Sequence, residues 1–267
     1  VAAARRLHRR TERTTTRTFL VEGPRAVSEA LANHTRTGAD VRELFLTAGA
    51  NDRHPELLVE AARLGLTVHT VADNVAAALA STRTPQGVVA VCGIPRRELA
   101  DALTARAQLV AVLVDVADPG NAGTAIRTAD AAGADCVILT GTAVDPYNGK
   151  CVRASAGSLF HIPVISGVSA TAAVDALHKA GLVVRAADAH GELDLDDLEE
   201  TGQLASPTAW LFGNEAHGLD DATSGQADER VRVPIHGRAE SLNLAAAVAV
   251  CLFCSARSQR RASPSKH

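Results

Sequence analysis

Residues 109–116 read LVAVLVDV, an apolar run of strand length with no polar alternation. Such a strand has no face to offer water, so it must be covered on both sides, as inner strands of helix-flanked parallel sheets are. The chain beyond it repeats the theme. Short apolar runs CVILT (136–140), IPVI (162–165), LVVRAAD (182–188), TAWLFGN (208–214) and VRVPI (231–235) alternate with helical stretches, among them one near 149–158 and one at 170–181. Strand–helix alternation of this kind predicts an α/β fold with a mostly parallel sheet and helices on both faces.

The first 95 residues read as a smaller α/β unit. FLVEGPRAVSEAL (19–31) has the pattern of strand, Gly-Pro turn and helix. Residues 41–48 and 66–71 are strands around a helix LLVEAARLG, and PQGVVAVCGI (85–94) is one more strand. Arg96 and Arg97 open a helical connector. The expected division is therefore a domain at 1–95, a linker at 96–108 and a larger domain at 109–267; a chain of 267 residues can hold both.

With 46% hydrophobic and 21% charged residues the chain reads as globular, not disordered. Aromatics are only 3%, which argues against holding nucleic acid by stacking bases on an aromatic platform. The net charge of −3 hides an uneven distribution. Arg5, Arg6, Arg9, Arg10, Arg13 and Arg17 face a single Glu12 within the first 17 residues, and Arg257, Arg260, Arg261 and Lys266 load the tail. Basic arms on a mildly acidic body suit phosphate contact; a solvated terminus is the competing reading. Five cysteines, an odd number without framework spacing, read as buried thiols of a reducing compartment. The Cys251–Cys254 pair lies in an apolar helix with no second pair to complete a metal set. The charged N-terminus has no apolar segment of the signal-peptide type, and the final helix, led in by polar residues, fits a core better than a membrane.

Three stretches carry chemistry. DPGNAGTAIR (118–127) is a Gly-containing loop at the carboxyl end of the buried strand, where open α/β sheets bind ligands. It matches neither the dinucleotide glycine fingerprint nor the phosphate loop, so those two readings fail on spacing. Asn121 sits in the loop, and Arg127 follows on the helix as either a phosphate-holding guanidinium or an ordinary surface arginine. LFGNEAHGLD (211–220) repeats the strand–Gly–polar pattern: Gly213 permits close approach of a ligand, and Glu215 could be a base, an arginine partner or a helix N-terminal carboxylate. His217 has no partner set and reads as structural. In VRVPIHGRAESLNLAAAVAVCLF (231–253), Pro234 ends a strand, a polar loop comes next, and the helix beyond is apolar enough to be buried or packed on a second copy. Ser241 and Asn243 at its mouth are either N-caps or ligand-holding groups.

In this order and at these separations, the three stretches resemble the three motifs of the SpoU (TrmH) RNA 2′-O-ribose methyltransferases. FLVEGPRAVSEAL and TPQGVVAV (84–91) are similar to that family's smaller L30e-like substrate-binding domain. The resemblance implies a SPOUT α/β-knot, with a C-terminal trefoil knot in a mostly parallel sheet, beside the L30e-like α/β domain. It implies S-adenosylmethionine bent within the knot loops and held mainly by backbone groups of Leu211, Phe212 and Gly213, of Val233, Pro234 and Ile235, and of Ser241, Leu242 and Leu244. Arg127 would be the central catalytic residue, with Asn121, Glu215, Ser241 and Asn243 around it, and no metal is called for. A guanidinium stays protonated in proteins, so a clamp on phosphate and developing oxyanion suits Arg127 better than the role of base. RNA would be held through Arg5, Arg6, Arg9, Arg10, Arg13 and Arg25, and a homodimer would form through the final helix. The separate N-terminal domain favours 23S rRNA over tRNA in a cytoplasmic enzyme. The alternatives are a tRNA methyltransferase and a catalytically inactive RNA-binding homologue; the joint presence of Asn121, Arg127, Glu215, Ser241 and Asn243 speaks against the second.

Overall fold

The computed structural model describes residues 1–35, 40–104 and 106–262. Lys266 of the basic tail and Ala105 of the connector lie outside the described residues. The chain forms two compact units, one of residues 1–96 with 145–161 and one of residues 97–144 with 162–267.

The first unit is built on a four-stranded sheet of β1 (Thr18–Glu22), β2 (Val41–Thr47), β3 (Thr67–Val71) and β4 (Val88–Gly93), in the order β1-β4-β2-β3. β4, apolar on both faces, is buried at every position and runs antiparallel to β1 and β2. The helices Pro24–Ala32 and Pro55–Arg63 both start on proline, where the missing N–H would have had no intrahelical partner. Two short helices, Ala48–Arg53 and Asp73–Leu79, occupy segments whose sequence gives little periodic signal.

Residues 145–161 belong to this first unit and not, as the strand–helix alternation implied, to the domain that surrounds them in sequence. The expected helix near 149–158 is shorter, Gly149–Ala154, with a 3-10 turn at Ser158–Phe160. Tyr147 and Phe160 pack their rings on Phe19, with centroids 4.8 Å and 6.2 Å away. Two ion pairs fasten the segment, Arg13–Asp145 at 2.6 Å and Arg153–Glu22 at 2.7 Å.

Arg13 is therefore removed from the set expected to hold RNA. It is only 4% exposed, both Nε and Nη2 donate to Asp145, and Nη1 donates to the carbonyls of Leu7 and His8. The N-terminal segment is also no loose arm: it forms helices Ala2–Arg6 and Arg10–Thr16, and Ala4 and Leu7 join a core cluster with Leu20, Phe45, Leu79, Val89 and Val91. Arg5, Arg6, Arg9, Arg10 and Arg25 remain exposed.

The second unit holds seven strands: β5 (Leu109–Val114), β6 (Cys136–Thr140), β7 (Val164–Val168), β8 (Val183–Ala187), β9 (Leu193–Asp194), β10 (Thr208–Phe212) and β11 (Glu229–Arg232). Their order is β7-β6-β5-β10-β8-β11-β9, and every pairing is parallel. β5, β6 and β10 are buried throughout, as uninterrupted apolar strands require. β11 starts earlier than VRVPI implied and leaves the sheet at Arg232, before Val233 and Pro234.

The final helix, Leu244–Ala262, packs against the helix Pro119–Ala132 and against β5 and β10. It buries Val248, Cys251, Leu252 and Ser255, while Val250 and Phe253 stay 38% exposed on its other side.

Several polar groups are engaged toward the amino ends of these strands. Arg185 of β8 is 2% exposed and pairs with Glu229 at 2.6 Å, while also donating to the Thr208 hydroxyl and to the Gln203 carbonyl. Asp135 accepts the N–H groups of Gln108 and Leu109, and Trp210 donates its indole N–H to Ser255 at 2.9 Å. All five cysteines are free thiols and buried.

Candidate active site

A parallel sheet brings the loops after all its strands to one edge. Here those loops enclose a cleft of about 1010 Å³, walled by residues 187–190, 212–219, 230–235 and 239–244 with Asn121 at one side. β5 delivers the first loop through Asp115, a non-glycine residue in the left-handed region at φ 51°. Such a conformation costs roughly 1–3 kcal/mol and needs surroundings that enforce it. The Asp115 carboxylate accepts the Thr142 N–H at 2.6 Å and its hydroxyl at 2.7 Å, and the Asp115 carbonyl accepts from the Asn214 side chain at 2.7 Å. Asp118 then caps the helix Pro119–Ala132 through the Asn121 N–H.

From there the three sequence motifs are stitched together. Asn121 donates through Nδ2 to Glu215 at 3.0 Å, and Asn243 donates through its own Nδ2 to Asn121 Oδ1 at 3.4 Å. Glu215 also accepts the N–H groups of Ala117 and Asp118 at 3.3 and 3.4 Å. Asn243 takes both roles left open for it: Oδ1 caps the final helix at the Ala245 N–H while Nδ2 reaches the site. Ser241 lines the cleft and is exposed.

Burial works to raise the pKa of Glu215, but the hydrogen bonds from Asn121 and from backbone N–H groups outweigh it, and the net value is lowered. A carboxylate held ionised in this way is a weak proton acceptor. Of the roles open to Glu215, the geometry fits a carboxylate that gathers N–H groups. No hydrogen bond or ion pair joins Arg127 to Glu215 or to any other described residue: Arg127 is exposed on its helix, outside the cleft lining.

Phe212, Gly213, Val233, Pro234, Ile235, Ser241, Leu242 and Leu244 all line the cleft. Leu211 does not; its side chain lies in the core with Val112, Ile138 and Val184, because neighbours on a strand point to opposite faces. A Cβ at Gly213 would stand 2.1 Å from the Gly218 carbonyl carbon and 2.3 Å from the Leu219 nitrogen, so the loop's own return already requires glycine there. His217, read as structural, is exposed and lines the cleft.

Sequence reasoning missed Asp188, His190, Arg230 and Arg232, which also face the cleft. One signal was available: LVVRAAD ends in an acid at the carboxyl end of a strand, as the other two loops do. That β8 neighbours β10 could not be read from chain order. Among the described residues no group of three or more His, Cys, Asp or Glu could hold a metal, and no helix is long and apolar enough to cross a membrane.

The cleft pairs apolar groups such as Pro234, Ile235, Leu242 and Leu244 with a mostly polar lining in which the carboxylates of Asp188, Glu215, Asp221 and Glu240 outnumber Arg230 and Arg232, which suits a ligand that is part apolar and part cationic. A parallel sheet with such a cleft at its carboxyl ends is the architecture of the SPOUT methyltransferases. An AdoMet-bound rRNA methyltransferase from Sinorhizobium meliloti superposes with a TM-score of 0.83 at 31% identity, over 99% of this chain and 95% of that one. Residues 108–253 match the sequence model of the SpoU rRNA Methylase family, and residues 1–90 match the MRM3-like substrate binding domain. The chain belongs to the SpoU rRNA methylase family. Among its relatives is the 23S rRNA (guanosine(2553)-2′-O)-methyltransferase RlmP of Bacillus subtilis, 37% identical over 93% of this chain and 92% of the relative. Another is the 23S rRNA (uridine(2479)-2′-O)-methyltransferase of Streptomyces viridochromogenes, 36% identical over 94% and 86%.

Proposed function

We propose that this protein transfers a methyl group from S-adenosylmethionine to a ribose 2′-hydroxyl of 23S rRNA. The observation that carries the reading is the Asn243–Asn121–Glu215 chain at the cleft, in a sequence whose relatives are named for that reaction.

When bound, S-adenosylmethionine supplies an electrophilic methyl group on a positively charged sulfur. The chain's own residues supply position and field. Apolar side chains line part of the cleft, and the ionised Glu215 places fixed negative charge beside it while holding the 117–118 backbone in place. A ribose hydroxyl is a weak nucleophile at neutral pH, so alignment and charge stabilisation dominate the catalytic task. Arg127, exposed and unpaired, is free to clamp the neighbouring phosphate and steady charge developing on the ribose oxygen.

Three further elements belong to the same reading. The C-terminal part is threaded as a trefoil knot; insertion of β10 between β5 and β8, and the return of the chain from β11 to the helix Pro119–Ala132, support this. A second copy covers the exposed stripe of Leu242, Val250 and Phe253, giving a homodimer through the final helix. The first unit holds RNA through Arg5, Arg6, Arg9, Arg10 and Arg25, consistent with its match to a substrate-binding model. The five free thiols favour the cytoplasm as the place of work.

The test is incubation with methyl-labelled S-adenosylmethionine and unmethylated total RNA. Label on a 2′-oxygen of 23S rRNA is the expected outcome. Label confined to tRNA overturns the substrate, and no label on any RNA overturns the activity.

A further inference from the structure

The cleft wall formed by the turn after β8 belongs to none of the three motifs, and it is held by a device of its own. Residues 188–192 cross over β11. A Cβ on Gly191 would lie 2.7 Å from backbone atoms of Arg230, Val231 and Arg232, so the two segments touch backbone to backbone at the crossing. Two arginines of β11 grip the turn from either side of this point. Arg230 donates from Nε and Nη2 to Asp188 Oδ2 at 3.3 and 3.0 Å, and from Nη1 to Glu192 at 3.0 Å. Arg232 donates to the Gly191 and Glu192 carbonyls and pairs with Asp194 at 3.1 Å. Asp188 closes the turn on itself by accepting the His190 N–H at 2.8 Å.

We infer that Arg230, acting through Asp188, is a positioning residue that sets the affinity of the cleft for S-adenosylmethionine. Three features support this. The gripped residues 187–190 and the gripping Arg230 both line the cleft, so moving the turn changes the cleft's width. One planar fork spans two carboxylates, Asp188 and Glu192, which a point-charge ammonium cannot reproduce. The close backbone crossing at Gly191 couples the turn to β11, so a change in the Arg230 grip is felt at the cleft wall. The inference rests on the proposed function, because the ligand whose affinity it sets is the cofactor of that reaction.

Calorimetric titration of the full chain with S-adenosylmethionine tests it, alongside filter binding of 23S rRNA fragments. Arg230→Gln is expected to weaken cofactor binding about tenfold, the scale of losing charge-assisted hydrogen bonds at a partly exposed site, while RNA affinity stays within about twofold. Arg230→Lys should recover part of the loss. Asp188→Asn should weaken cofactor binding too, and the double variant should be no worse than the poorer single one, since both act through one contact. In turnover the loss should fall on the cofactor KM. Cofactor binding by Arg230→Gln within twofold of wild type, or equal losses for cofactor and RNA, would overturn the inference. A wild-type protein that binds no S-adenosylmethionine would instead bring down the proposed function.

Discussion

The two ends of the seven-stranded sheet use the same kinds of residue to opposite ends. At the amino ends Arg185 is enclosed, with Glu229, Thr208 and the Gln203 carbonyl satisfying its guanidinium. At the carboxyl ends Glu215, beyond β10, is exposed with hydrogen bonds of 3.0 to 3.4 Å, and the neighbouring β5 leads into a strained Asp115. Polar groups at the first end specify which strands lie side by side; those at the second are held ready for something that is not protein. Stability should therefore be concentrated at one end and activity at the other, and each can be attacked separately.

The largest effect is expected from Arg185→Leu. It strands Glu229 and Thr208 near the core, a loss of about 3–5 kcal/mol if the pair behaves as buried pairs do when one partner is removed. Denaturant unfolding checks this, and a loss below about 1 kcal/mol would mean the amino end is not the sheet's anchor. Next comes Glu215→Gln, expected to slow methyl transfer roughly 100-fold with little change in melting temperature. A variant that melts early but turns over normally when folded would reverse the assignment of the two ends. Arg127→Lys should cost about tenfold in turnover, because an ammonium cannot grip a phosphate with two parallel donors, and leave stability within about 0.5 kcal/mol. The pH response sharpens the contrast further. Because the folded pKa of Glu215 lies below the ordinary 4.5, its contribution is complete above that value and is lost as pH falls through the lower folded one. Cofactor affinity should thus persist into mild acid and fail below it, and Glu215→Gln should remove the part of that acid limb that Glu215 contributes, leaving the part that follows protonation of Asp188. The smallest effect on function belongs to the first unit. Arg10→Ala should lower the salt slope of RNA binding by about one, whereas Arg13→Ala should act on stability instead.

Much of the catalytic half was legible because its logic is local. β5 had to be an inner strand once it read LVAVLV, and three polar loops after apolar strands had to share an edge once the sheet was parallel. Asn121, Glu215 and Asn243 came with that placement. The errors arose where partners are distant in sequence. Nothing near Arg13 indicates Asp145, 132 residues away, so its charge looked available to RNA. Residues 145–161 kept the rhythm of the surrounding alternation and yet pack with Phe19. Asp188 was overlooked because its partner Arg230 belongs to a strand 42 residues later.

The buried thiols offer a way to watch the molecule open. Cys92 and Cys151 lie in the first unit, and Cys136, Cys251 and Cys254 in the second. Burial pushes Cys136 up to about 12 and Cys254 up to about 11, and Cys92 and Cys251 are raised further. All five are buried, so a thiol reagent in neutral buffer should reach each one only when its surroundings come apart. Labelling that arrives as two and then three modifications, or three and then two, would report which unit unfolds first, with no substitution made.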